Sequence, residues 1–172
     1  MSAAPGLATR LLLGGIAGFV ATLPMTVAMR ALHRRLPEEE RYPGTPRELI
    51  DSVGGEELPE QPAVDLTIAA HFLYGAATGS LVAAAAPRPT LATGAAAGTA
   101  IWAASYLGWI PAAGLLRPAI SHPPRRNAMM IAAHLVWGTS TALVLRELLR
   151  DRDTIFAGGP DADMPAADGS AG

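Results

Sequence analysis

Charged positions along this chain fall in clusters, and between the clusters lie four stretches without Asp, Glu or Arg: Leu11 to Met29, Leu66 to Pro87, Pro89 to Leu116 and Asn127 to Leu145. They run to 19, 22, 28 and 19 residues. An apolar helix needs roughly 20 residues to cross the hydrocarbon core of a bilayer, so each stretch is long enough. A soluble helix of that length presents a charged face to water, and none of these has one. The pattern therefore predicts helices over residues 7–36, 66–86, 91–116 and 127–150. The fold class that follows is all-α: a transmembrane four-helix bundle in residues 1–150. Arg10 ahead of the run Leu11 to Leu23 also fits a signal peptide. The apolar pattern, however, continues through Met25, Met29 and Leu32 into Arg30, Arg34 and Arg35, which reads as a membrane exit. Pro24 is expected to kink this helix without ending it.

The polar intervals divide the chain further. Residues 37–65 carry nine acidic side chains against Arg41 and Arg47. Within them Thr45, Pro46 and Glu48 fit a capping box, which predicts a short surface helix over residues 46–53, and Asp65 is the expected N-cap of the second membrane helix. The connection Pro87 to Thr90 is so short that the second and third helices are predicted to be antiparallel neighbours. Residues 151–172 are mostly Gly, Ala, Pro and Asp, too poor in apolar surface to order, and are expected to be a disordered tail.

Two of the predicted helices repeat each other. Ile68, Ala69, Ala70 and His71 recur as Ile131, Ala132, Ala133 and His134, with Tyr74 against Trp137, Gly75 against Gly138 and Thr78 against Thr141, at a constant offset of 63. A fainter echo joins the other two, where Gly14 and Gly18 match Gly94 and Gly98 at an offset of 80. The chain thus reads as two copies of a helical hairpin related by an axis along the membrane normal. On that reading His71 and His134 lie at similar depth, and the second and fourth helices meet near the axis.

Positions i, i+3, i+4 and i+7 share one face of a helix, so His71, Tyr74, Gly75 and Thr78 form one stripe and His134, Trp137, Gly138 and Thr141 the other. Three readings stay open. The first is packing, with glycine admitting a close backbone and the polar tips bonding across the contact; Gly14–Gly18 and Gly94–Gly98 are G-x-x-x-G pairs of the same kind. The second is a proton or solute route through His71 and His134, continued by the hydroxyls of Thr78, Thr141 and Ser105. The third is bis-histidine ligation of haem b, with Gly75 and Gly138 leaving room for the macrocycle. The first gives a non-enzymatic membrane component that works by packing or partner binding, without a cofactor or bound metal.

Composition narrows the classes. Half of the residues are hydrophobic and only 16% are charged; every cation is an arginine, and the net charge is −2, so the basic excess of a nucleic-acid binder is missing. There is no cysteine, which removes disulfides, thiolate metal sites and cysteine nucleophiles. No nucleophile elbow or phosphate-binding loop is present, so no catalytic residue is assigned and an enzyme is not expected. The expected partners are the lipid bilayer and either further copies of the chain or another membrane protein. Eight arginines flank the first and third connections against five on the other side, which places residues 37–65 and 117–126 in the cytoplasm.

The glycine-rich first helix, the segment Tyr42 to Arg47 (Y-P-G-T-P-R), the His-x-x-Tyr-Gly of the second helix, Gly108, Trp109, Pro111 and Gly114 at the exit of the third, and the His-x-x-Trp of the fourth together resemble a known group. They are similar to the uncharacterised bacterial inner-membrane proteins typified by YagU, over roughly residues 7–150. The resemblance implies a multi-pass protein of the bacterial inner membrane and brings no catalytic residues with it.

Overall fold

A computed structural model of the protein describes residues 5–152 and 154–157, all of them helix or connection, with no strand among the described residues. The order is α1 (Leu7–His33), α2 (Thr45–Ser52), α3 (Glu60–Ala85), α4 (Leu91–Ala103), a π-helical turn (Ala104–Trp109), α5 (Ile110–Ala112) and α6 (Pro124–Asp151), with short 3₁₀ turns in the connections. Three helices, α1, α3 and α6, are long and apolar enough to cross a membrane. The tail predicted to be disordered lies, from residue 158 on, outside the described residues.

Size is distributed inside out relative to a water-soluble bundle. The interior of α1 is Gly14, Ala17, Gly18, Ala21, Thr22 and Met25, while Leu12, Ile16, Phe19, Val20, Leu23 and Val27 face outward. On α3 the same division sets Gly75, Thr78 and Gly79 inside against Ile68, Leu73 and Leu81 outside. Water would penalise so large an apolar exterior, whereas lipid does not, and in lipid close approach through small residues is what holds helices together. α1 and α3 thus have the surface of membrane helices, while α6, which buries Met129, Met130, Trp137 and Leu145, supplies the larger side chains of the interior.

Several predicted boundaries move. The second membrane helix begins at Glu60, six residues before the expected start, with Pro59 at its N-cap and Asp65 inside it. Pro62 does not prevent this, because in the first turn a missing N–H costs nothing; Asp65 accepts instead from the Gln61 side chain (3.0 Å). The capping box at Thr45 does not form, and α2 starts without a side-chain cap. A reciprocal box appears elsewhere, between Thr90 and Thr93 at the start of α4. The first helix ends at His33, three residues short of the predicted end, and α6 begins three residues early, at Pro124.

The largest departure is in the third predicted helix, 91–116. Its regular part stops at Ala103, a length of about 20 Å at 1.5 Å per residue. Pro111 cannot donate to the carbonyl four residues back, and the chain responds with a wider π turn and a break at Gly108 (φ −113°, ψ −106°). Gly114, with φ 71°, then ends the segment in the left-handed region where a side chain would be strained.

Contacts between helices are unequal. α1 packs along α3 and along α6, and α4 packs along α6, while α3 and α4 touch only marginally. The second and fourth predicted helices, α3 and α6, were expected to meet through their histidine faces; α1 stands as the shared neighbour of both instead.

Candidate functional site

The glycine contacts fix how each tight pair fits. Gly14 lies against Gly79 and Ala83, and Gly18 against Gly75 and Gly79, so that a Cβ on Gly14 or Gly18 would strike backbone of α3. Gly94 lies against Gly138 and Ala142, and Gly98 against His134 and Gly138, in the same sense. The offset relating the two sets is 80 in the first helix of each pair, as in the sequence, but 59 in the second, since Gly79 takes the place of Gly138 and Ala83 that of Ala142. The sequence match at 63 is therefore one helical turn out of step with the packing. His134 occupies the position of Gly75, and His71 that of Met130, so the two histidines do not stand at corresponding positions in the two contacts.

Gly18 is where three helices join. Its carbonyl oxygen accepts from Trp137 Nε1 of α6 (3.1 Å) and from Thr22 Oγ1 one turn along (2.8 Å), while its Cα face admits Gly75 of α3. Trp137, Ala133, Ala21, Met25 and Val82 form the cluster around it. The space at Gly75 is occupied by Thr22 and that at Gly138 by the Gly94 and Gly98 backbone. These are the two glycines expected to clear a haem macrocycle, and neighbouring helices fill both places.

The threonine hydroxyls of the two stripes turn back onto their own helices: Thr78 donates to the Tyr74 carbonyl (2.8 Å) and Thr141 to that of Trp137 (2.8 Å). His134 Nδ1 lies 2.8 Å from the Met130 carbonyl oxygen, so this nitrogen carries the proton and Nε2 is an acceptor. None of these bonds links one stripe to the other.

Between α3 and the α4–π segment the helices part, and a cavity of about 250 Å³ fills the gap. Its walls are mostly apolar: Met25 and Met29 from α1, Ile101 and Ile110 from the other side, Met130 and Trp137 from α6, and Leu49 and Ile50 of α2 across its end. His71, Tyr74, Thr78, Ser105, Tyr106 and His134 also line it, mostly through their apolar atoms. Among the described residues one hydrogen bond spans the parted helices, between the Tyr74 and Ser105 hydroxyls (2.7 Å), with the Trp109 ring 6.3 Å from that of Tyr74. Two polar atoms of lining residues, His71 Nε2 and the Tyr106 hydroxyl, are themselves fully buried and have no hydrogen-bond partner among the described residues.

A latch holds α2 against this end of the bundle. Arg126, 2% exposed, donates to the carbonyl oxygens of Tyr42 (3.1 Å) and Pro43 (2.5 Å), pairs with Glu48 (3.3 Å), and lies 3.5 Å from the centre of the Tyr42 ring. Glu48 is thereby drawn to Arg126, and with Gly44 at the N-cap Thr45 already lies inside α2, so the expected capping box is absent. The Tyr42 hydroxyl donates to His122 Nδ1 (2.8 Å), and His122 Nε2 donates to the Arg117 carbonyl (3.4 Å). Burial pushes the Tyr42 phenol above its ordinary range, against the pull of the Arg126 cation. Sequence reasoning missed Arg126, since an arginine at a membrane boundary is ordinarily a solvated flank. The signal that pointed to its partners was the Y-P-G-T-P-R segment.

No family model, curated protein or solved structure matches this chain.

Proposed function

We propose that this is a four-crossing protein of the bacterial inner membrane, of the kind it resembles, built as two helical hairpins and working without catalysis by holding a small lipid-soluble molecule between α3 and α4. On this reading α4, the π turn and α5 together make the fourth crossing, and residues 37–65 and 117–126 face the cytoplasm. The observation that carries it is an asymmetry: α1 and α6 pack along each other while α3 and α4 barely touch, and a partly open chamber of about 250 Å³, walled also by α1, α2 and α6, lies between α3 and the π segment. Well-packed interiors leave few voids larger than a water molecule, so a chamber of this size points to an occupant. An engineered apolar cavity of about 150 Å³ is enough for benzene.

Thermal melting of the full chain in phosphatidylcholine nanodiscs tests this. Naphthalene is expected to raise the melting temperature in a saturable way, because a ligand bound only by the folded state stabilises it by mass action. Ile101→Trp and Ala70→Phe, which fill the chamber from opposite walls, abolish the rise. A naphthalene response that is absent, or unchanged in both variants, refutes the reading. A competing reading, a proton route, draws on His71 and His134 lining the same chamber. Proton flux in liposomes that falls severalfold in both His71→Ala and His134→Ala would favour it.

A further inference from the structure

We infer that α2 is a latched lid: it pivots at Gly54 and Gly55 and is held shut by Arg126, so that the occupant enters and leaves at the end of the chamber that α2 covers. The inference rests on the chamber reading above and adds to it how the chamber is reached. Three observations on α2 carry it. The first is what its apolar side meets. Pro46, Leu49 and Ile50, at i, i+3 and i+4, share one face of the helix, and all three line the chamber. Among the described residues, no buried apolar cluster of the bundle includes a residue of α2. The helix therefore closes a space and does not complete a core, and a segment with so few buried apolar contacts opens at low cost.

The second is how the helix is fastened. α2 packs chiefly along α3. Its hold on α6 is polar and lies at its N-terminal end, where Arg126 binds the Tyr42 and Pro43 carbonyls just ahead of the helix and the Glu48 carboxylate in its first turn. Hydrogen bonds of Tyr42 with His33 and His122 reinforce the same end. The third is the opposite end. There the chain passes through Gly54, whose φ of 100° suits glycine, and Gly55 before α3 begins at Glu60. The ion pair of Arg47 with Glu60 (3.1 Å) spans this turn and ties α2 to the start of α3. A few loop residues of this kind are enough for a hinge. Such a lid governs rate more than affinity. When the open fraction rises from about 1% to about 10%, the closed fraction and the apparent affinity fall by only about a tenth, while entry and exit both become about tenfold faster.

Stopped-flow measurements on the full chain in phosphatidylcholine nanodiscs test this. Anthracene is the probe, and the signal is energy transfer to it from Trp109 and Trp137, which line the chamber. Ala70→Phe, which fills the chamber, gives the background from anthracene dissolved in the lipid. Arg126→Met is expected to speed entry and exit together by about tenfold and Glu48→Ala by about threefold, with affinity within about twofold of the parent. Both effects exceed that of Tyr74→Phe, which loosens the side toward the π segment. Where Arg126→Met does not fold, Glu48→Ala decides alone. Rates unchanged in the folded variants, or affinity lost through faster exit alone, overturn the lid and leave α2 as a fixed wall. Faster exchange in Tyr74→Phe than in either latch variant moves the entrance to the gap between α3 and the π segment and also overturns it. Transfer in the parent no greater than in Ala70→Phe removes the chamber reading itself and this inference with it.

Discussion

The contact between α1 and α6 and the contact between α3 and α4 take corresponding places in the proposed pair of hairpins, and they are built differently. Along the first, small residues bring α1 close and Trp137 ties α6 to the Gly18 carbonyl. Along the second, one hydroxyl pair, Tyr74 with Ser105, crosses a gap walled by Met, Ile and aromatic side chains. A near-repeat in sequence thus does not yield a symmetric interior. The one-turn difference between the sequence offset of 63 and the packing offset of 59 separates the two contacts, and it leaves one histidine fastened to its own helix and the other with a buried, unpartnered Nε2 among the described residues.

The comparison breaks most readily on the packed side. Gly18→Leu drives a side chain into backbone of α3 that cannot move aside, and is expected to cost about 3 kcal/mol or more, read as loss of the folded species in detergent melts. Gly138→Leu meets the Gly94 carbonyl and acts through the other tight pair to a similar extent. A melting temperature unchanged in both would show that these glycines are not what closes the bundle. Next in size is Arg126→Met, which strands two carbonyls and the Glu48 carboxylate at a cost of about 2 to 3 kcal/mol. Its signature is local: faster amide exchange and easier proteolysis in residues 37–58, with α1 and α6 still protected. On the open side Tyr74→Phe removes one hydroxyl bond and costs about 1 kcal/mol, with a measurable increase in the rate at which a chamber ligand exchanges. The smallest effect belongs to Leu73→Ala, whose side chain faces outward; in detergent it stays within about 0.5 kcal/mol of the parent.

Much of the architecture was legible in advance because lipid imposes a coarse rule, that charges must be absent over a span's length. That rule marked out α1, α3 and α6 to within a few residues at most ends. It said nothing about where α3 begins, because Pro59 and Pro62 look like a break while acting as a start, and Asp65 looks like a cap while lying one turn inside. The glycines of the first and third helices were recognised as packing positions. Gly75 and Gly138 were also read as packing positions, but which glycine meets which was not, since in a sequence with 18 glycines many registers place small residues together and side-chain fit chooses among them. The chamber was legible only in fragments. His71, Tyr74, Thr78 and Ser105 were singled out, but Tyr106 was not, because its place on the wall depends on the π turn that Pro111 and Gly108 impose. Nor does periodicity reveal an interaction such as that of Arg126 with Tyr42 and Pro43, which joins residues more than 80 positions apart.

The meeting of three helices at Gly18 has a mechanical corollary. α3 is seated along one edge, where Gly75 and Gly79 lie on α1, and a face about 100° round the helix is tethered to the π segment by the Tyr74 and Ser105 hydroxyls. The first restraint is interlocked backbone and the second a single hydrogen bond, so α3 is held far more firmly toward α1 than toward the chamber, while Trp137 fastens α6 to the same Gly18 carbonyl.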